Sequence, residues 1–281
     1  MEVRKTYKLY IGGAFPRSES GRSYPVTGPG AGDAGSVVHA AQASRKDVRD
    51  AVVAARKAFG GWSGATAYNR GQVLYRVAEL LEGRRAQFAA EVAAAGEADA
   101  AAQVDAAVDR WVYYAGWADK YAQVAGATDP VAGPYFTFSL PEPTGVVGVI
   151  APQRPSLLGL VSVLAPVLAT GNTAVVIASQ EAPLPAISLS EVLATSDVPA
   201  GVVNILTGLG AELAPWLASH RDVNAIDLTG VPESGRAALR VAAADNVKRV
   251  LVRDADWWAD PGTSRLGAFV ETKTVWHPVG V

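Results

Sequence analysis

A doubly wound, mostly parallel α/β sheet is the fold that this sequence predicts, and three stretches predict it. The first runs from Thr144 to Glu181. Val146, Val147, Val149 and Ile150 form a short β-branched run, suited to a strand buried on both faces. Pro152 and Pro155 stop it, Leu157 to Leu168 is long enough for a helix, Gly171 and Asn172 end that helix, and Ala174 to Ile177 resume as a second buried strand. If both strands share a sheet, the unit is a right-handed parallel crossover. The second stretch repeats the pattern with a helix over Ala186 to Thr195 and the run Val202 to Leu206. The third adds a turn at Gly208 and Gly210, a helix to His220, and the run Val223 to Leu228. Three successive strand and helix alternations argue for helices on both faces of one sheet.

Composition narrows the function classes. Of 281 residues 49% are hydrophobic and 19% charged, enough for a substantial core and one or two domains. The formal net charge is -2, so no basic surface is expected to meet nucleic acid or an anionic membrane. The opening MEVRKTYKLYIGG carries charges with no apolar run behind them, and no later segment reaches spanning length without polar breaks. The expectation is a cytoplasmic protein whose Met1 stands near its first hairpin, as at a natural start. No cysteine occurs anywhere, which excludes disulfides, thiolate metal sites and a thiol nucleophile. His39, His220 and His277 lack ligand spacing, so no metal is expected, and no Gly-x-Ser-x-Gly nucleophile elbow occurs.

The other elements follow in chain order. The segment YKLYIGGAFPRSESGRSYPV, ending at Val26, places a turn at Gly12 and Gly13 between short β runs. Glycines from Gly28 to Gly35 read as a flexible loop. Arg45 to Phe59 has Val48, Val52, Ala55 and Phe59 at helical spacing, and Gly60 to Trp62 is expected to end that helix. NRGQVLYRVAELLEGRRAQFAAEVAAA supplies further helices, and Asp105 to Val124 contains YYAGWADK. Pro134 to Pro143, PYFTFSLPEP, reads as an extended strand with Tyr135, Thr137 and Ser139 opposite Phe136, Phe138 and Leu140; an ordinary edge hairpin is the alternative. After Arg236 come a helix at ALRVAAADN, the run NVKRVLVRDADWW, a turn-rich WADPGTSRLG, and AFVETKTVWHPVGV, where Thr272, Thr274 and Trp276 alternate with Lys273 and Val275.

GVVGVI with its proline turn, LAPVLATGNTAVV, VPAGVVNILTGLGAE and DLTGVPESGR stand in the order and spacing of the cofactor-binding domain of the aldehyde dehydrogenase superfamily, which the chain resembles. The resemblance implies a Rossmann-like sheet over 144–256, preceded by a hairpin and helices over 1–133 and an oligomerisation strand over 134–143. It further implies a linker at 257–267 in place of the catalytic lobe, and a second oligomerisation strand over 268–281. Truncated in this way, the chain is similar to the degenerate, non-catalytic second domain of the family-sixteen aldehyde dehydrogenases.

Aldehyde oxidation in that family needs a cysteine thiolate, an oxyanion donor, a general base and a nicotinamide. The cysteine is missing. The family's Pro-Trp-Asn turn, with its oxyanion-binding asparagine, is represented by Pro152, Gln153, Arg154 and Pro155. The base of its Glu-Leu-Gly-Gly run aligns with Arg253, which stays protonated, and Ala255 and Asp256 replace the glycines. No catalytic residue is therefore expected. For the cofactor, the family's ribose-binding lysine aligns with Ala178, while Glu181 matches its acidic neighbour. Gly208 and Gly210 match a turn whose later glycine falls at Ala214, and Thr229 and Gly230 match a Thr-Gly pair whose following serine is Val231. Glu181, Gly208, Gly210, Thr229 and Gly230 thus form a vestigial cofactor set, readable also as tight turns and a solvated carboxylate or helix cap. No cofactor is expected, with NAD or NADP as the alternative.

The resemblance assigns Phe136, Phe138, Leu140, Phe269, Thr272, Thr274, Val275 and Trp276 to an interface sheet whose open edges favour pairing with another chain. Trp257 and Trp258 stand where the catalytic lobe would begin, suited to covering the sheet or to anchoring a partner. The expected function is a non-catalytic accessory or structural subunit, forming a homo-oligomer or a hetero-oligomer with a catalytic aldehyde dehydrogenase. The alternatives are a residual NAD(P)-binding oxidoreductase and a chain that completes another chain's active site.

Overall fold

The computed structural model describes residues 6–29 and 36–280. Strands β1 (Ser23–Gly28) and β2 (Ser36–Ala41) form an antiparallel ribbon. Five helices follow: α1 (Arg45–Gly64), α2 (Ala67–Gly83), α3 (Arg85–Ala94), α4 (Ala100–Trp117) and α5 (Tyr121–Ala125). Next come β3 (Ala127–Thr128) and β4 (Tyr135–Pro143). The alternating unit is β5 (Val146–Ile150), α6 (Leu158–Ala169), β6 (Thr173–Ile177), α7 (Leu184–Thr195), β7 (Val203–Leu206), α8 (Gly210–Ser219), β8 (Ala225–Asp227), α9 (Glu233–Ala244) and β9 (Arg249–Leu251). A short α10 (Ser264–Ala268) and β10 (Val270–Pro278) complete the described chain.

The main sheet is parallel throughout, in the order β7-β6-β5-β8-β9. Its first strand is central: the chain winds outward through β6 and β7, then crosses back to build β8 and β9 on the other side. That reversal opens a crevice at the carboxyl ends of β5 and β8, where ligands bind in sheets of this kind. Helices α2, α3, α4, α6 and α7 pack one face, and α1, α8 and α9 the other. Every residue of α6 is buried, consistent with its apolar sequence and lack of a polar face. Among the described residues no helix is long and apolar enough to cross a membrane, and no group of acidic or histidine side chains is placed to hold a metal.

A second, antiparallel sheet has the order β10-β4-β3, with β10 paired to β4 from Val270 opposite Pro143 to Pro278 opposite Tyr135. The alternation expected along β4 is present in part: Thr137 and Ser139 are buried, Phe136 and Leu140 are exposed, and Phe138 is half-buried. Tyr135 at the strand end departs from it, being exposed beside Trp276.

Two expectations need correction. Gly60 to Trp62 does not end α1, which continues to Gly64. Trp62 is buried and its indole N–H donates to Leu168 O at 3.1 Å, a tertiary anchor that outweighs the weak helix propensity of two glycines. Gly28 is not loop but the last residue of β1, paired with Ser36. Gly30, Gly32 and Gly35 of the expected loop lie outside the described residues.

Candidate functional site

A cleft of about 510 Å³ lies at the carboxyl ends of the parallel strands, between α8 and α9. Its walls include Ile150, Glu181, Gly210, Ala214, Gly230 and Leu239. The volume falls within the range of small-molecule sites. Three residues of the vestigial set, Glu181, Gly210 and Gly230, therefore meet here. Gly230 is sterically required: a Cβ would stand 2.1 Å from Ala151 O. At Gly210 a Cβ would meet nothing within 4 Å.

Gly208 and Thr229 do not line the cleft. Gly208, at φ +146, packs its backbone against Ala43, where a Cβ would lie 3.1 Å from the amide nitrogen. Thr229 turns toward α10, its hydroxyl accepting from Arg265 Nη2 at 3.3 Å and its N–H donating to Asp227 Oδ1 at 2.9 Å.

Several polar groups around the cleft are already engaged. Gln153 Oε1 accepts from the N–H groups of Gln180 at 2.9 Å and Glu181 at 3.3 Å. Gln180 Oε1 accepts from Gly210 N–H at 3.3 Å, occupying a first-turn donor of α8. Val231 N–H donates to Leu228 O at 2.9 Å, and Pro232, which caps α9, has no N–H. Arg154 Nε lies 3.3 Å from Glu181 Oε2, while its other nitrogens donate to Ala95 O and Gly96 O. Among the described residues no lysine or arginine lines the cleft, and Glu233 adds a carboxylate to the first turn of α9. The cleft thus suits an apolar ring system and offers no cation to a pyrophosphate, leaving the first-turn N–H groups of α8 and α9 as the donors that could meet one.

A second polar centre sits where the chain leaves the main sheet. Arg265 of α10 reaches back to the end of β8, with Nη1 2.7 Å from Asp227 Oδ2. Arg265 is 6% exposed and Asp227 0%, so the pair is screened from water. Arg110 of α4 donates through Nη2 to Trp257 O at 2.8 Å and Ala259 O at 3.3 Å, and the Arg265 guanidinium lies 5.5 Å from the Trp257 ring centre. Residues 257–267 are therefore fastened to the sheet. Trp257 is half-buried, while Trp258 is exposed. Arg253 is exposed and hydrogen-bonds Ser264 Oγ. Nothing local in the sequence announced the Asp227–Arg265 pair or the role of Arg110; a basic residue inside a short linker was the one available signal.

The interface set divides between the two faces of the small sheet. Phe136, Phe138 and Leu140 share one face with Val275, the partner of Phe138; Thr272, Thr274 and Trp276 point to the other, where Thr274 Oγ1 lies 2.8 Å from Ser139 Oγ. Phe269 is a correction: at 1% exposure it packs in the chain's own core, its carbonyl accepting from Thr144 N–H and Asn172 Nδ2–H, so it has no surface to offer. Along its other edge β10 has no strand partner among the described residues.

Comparison with known proteins places these features. The model of the aldehyde dehydrogenase family matches residues 15–253. Human retinal dehydrogenase 2 is 37% identical over 257 residues, covering 89% of this chain and 48% of that protein. The crystal structure of HpcC from Thermus thermophilus superposes with a TM-score of 0.81 at 33% identity, covering 88% of this chain and 47% of the other. PnpE, solved in complex with nicotinamide adenine dinucleotide, superposes at 0.82 with 31% identity and 88% and 50% coverage. The chain spans about half the length of the relatives it matches. On the family match across most of its length, together with the shared fold, the chain belongs to the aldehyde dehydrogenase family.

Proposed function

We propose that this chain is a non-catalytic aldehyde dehydrogenase-like subunit that works by assembly, with a second copy of itself or with a catalytic NAD(P)-dependent aldehyde dehydrogenase. The observation that carries this reading is the outer edge of the nine-residue β10, which has no strand partner among the described residues and is flanked by exposed Phe136, Leu140 and Trp276. An open edge with apolar neighbours favours strand addition from another chain. The missing chemistry supports it: no cysteine is present in the sequence, and Arg253 stands where the resemblance places a base.

The test is co-expression with a catalytic aldehyde dehydrogenase encoded nearby, purification through a tag on this chain alone, and measurement of mass and NAD-dependent aldehyde oxidation. A stoichiometric complex, or a homo-oligomer of this chain, is the expected result. Elution as a monomer at micromolar concentration overturns it.

The second reading is residual NAD(P) binding, favoured by the meeting of Glu181, Gly210 and Gly230 in the cleft. Calorimetric titration with NAD and NADP separates the two, and no heat at millimolar ligand removes this reading.

A further inference from the structure

The two outer edges of the small sheet differ in the donors they present. Thr144 N–H donates to Phe269 O and Val279 N–H to Pro134 O, so the odd-numbered residues of β10 turn their backbone groups to β4. The even-numbered ones, Val270, Thr272, Thr274 and Trp276, therefore turn theirs to the outer edge, where no strand pairs with them among the described residues. On β4 it is the odd-numbered residues that face β3, in keeping with the bond from Asp129 N–H to Thr137 O. β3 reaches only Phe138 and Ser139, and the next outward positions of β4 are Pro141 and Pro143, which have no N–H to offer. Proline keeps a bare edge from recruiting another strand. β10 carries none before Pro278, its last residue. An edge that keeps its donors, beside one that lacks them, is suited to pairing.

The strand is also complementary to itself. Thr274 is the midpoint of Val270–Pro278 and is an outward residue. An antiparallel pair with a two-fold axis at Thr274 uses the whole strand of both copies, with about eight backbone bonds. Thr274 then opposes itself, Thr272 opposes the second copy's Trp276, Glu271 its His277, and Lys273 its Val275. Thr–Thr and aromatic to β-branched neighbours are favourable across strands, and no like charges meet. Glu271 and Lys273 are already neutralised within the chain, by Arg249 and Glu142. Moving the axis to Lys273 sets two ammonium groups against each other, and moving it to Thr272 or Val275 runs part of each strand past the end of the other.

Resting on the assembly reading, we propose that β10 pairs with β10 of a second copy, antiparallel about Thr274, joining two three-stranded sheets into one. The chain has no cysteine, so single cysteines report without background. Thr272→Cys, Thr274→Cys and Trp276→Cys are made separately in the full chain, oxidised at micromolar concentration and run on a non-reducing gel. In the proposed pair the two Thr274 Cα atoms stand about 5.5 Å apart, within disulfide reach, whereas each other position lies roughly 14 Å from its counterpart. Thr274→Cys should form a linked dimer and the other two should stay single. Thr274→Pro removes an outward N–H that β4 does not use, and should convert the wild-type dimer to monomer in sedimentation with its circular dichroism spectrum kept. Thr274→Lys leaves the backbone intact, sets like charges opposite, and should weaken dimerisation about fivefold. A wild-type monomer at micromolar concentration overturns the proposal and self-association with it. A dimer that gives no Thr274→Cys link, links equally at Thr272→Cys or Trp276→Cys, or is unweakened by Thr274→Pro and Thr274→Lys overturns this pairing alone and leaves assembly standing through another surface.

Discussion

Arg265→Met keeps most of the aliphatic stem and removes only the guanidinium. Asp227 would then retain the Thr229 N–H as its hydrogen bond, with no exposed surface through which water could replace the lost partner. Breaking a buried ion pair from one side costs about 3–5 kcal/mol, a large share of a typical domain stability of ~5–15 kcal/mol. At ~2.1 cal/mol/K per residue, a chain of 281 residues has an unfolding entropy of about 0.6 kcal/mol/K. The melting temperature should therefore fall by about 5–9 °C in a calorimetric scan. Limited proteolysis should show new cleavage within 256–264, because Arg265 fixes the end of that segment. Adding Asp227→Asn removes the stranded charge and should recover more than half of the loss. If Arg265→Met melts within about 2 °C of the wild type, or the double variant is as unstable as the single one, the pair does not fasten the linker.

Two glycines of the cleft should behave oppositely in urea unfolding. Gly230→Ala forces a Cβ against Ala151 O and should lose about 2 kcal/mol or more, whereas Gly210→Ala points into open space and should change stability by no more than about 0.5 kcal/mol. Burial pulls the Lys248 ammonium from 10.5 to about 8. Between those values the unfolded chain binds the extra proton, so stability should rise with pH from about 8, and Lys248→Met should lack that rise. Tyr7 and Tyr114, both pushed up from 10.0 to about 12, act in the reverse sense, so stability should fall once pH passes about 10. Phe136→Glu with Leu140→Glu places charges on the exposed face of β4 and should lower oligomer mass by light scattering, with the melting curve unchanged; unaltered mass would place assembly elsewhere.

The main sheet was legible because its signals are local. Val146–Ile150 and Thr173–Ile177 are buried on both faces and correspondingly apolar without alternation, and the glycines and prolines between elements mark their ends. Pairing of the two late strands was legible through resemblance, since β4 and β10 are far apart in sequence and carry no mutual signature. What escaped reading depends on contacts at long range. Trp62 carries α1 through two glycines only because Leu168 offers a carbonyl. Phe269 looks like one more residue of an exposed strand, yet the bend before β10 turns it inward. The spacing of Gly208 and Gly210 announced a turn, while the direction of α8 decided which of them faces the cleft. Asp227 was visible in a recognisable motif, but its cation lies 38 residues later in a segment with no regular pattern.

Asn172 gives the small sheet a mechanical meaning. Its side-chain oxygen accepts from Gly145 N–H at 2.8 Å, and its amide nitrogen donates to Thr170 Oγ1 and to Phe269 O, each at 2.9 Å. One amide thus clamps the entrance of β5, the turn before β6 and the residue that launches β10. A hinge there would have to break these bonds together. Any chain that added to β10 would meet the cleft at an angle that this buried carboxamide helps to set.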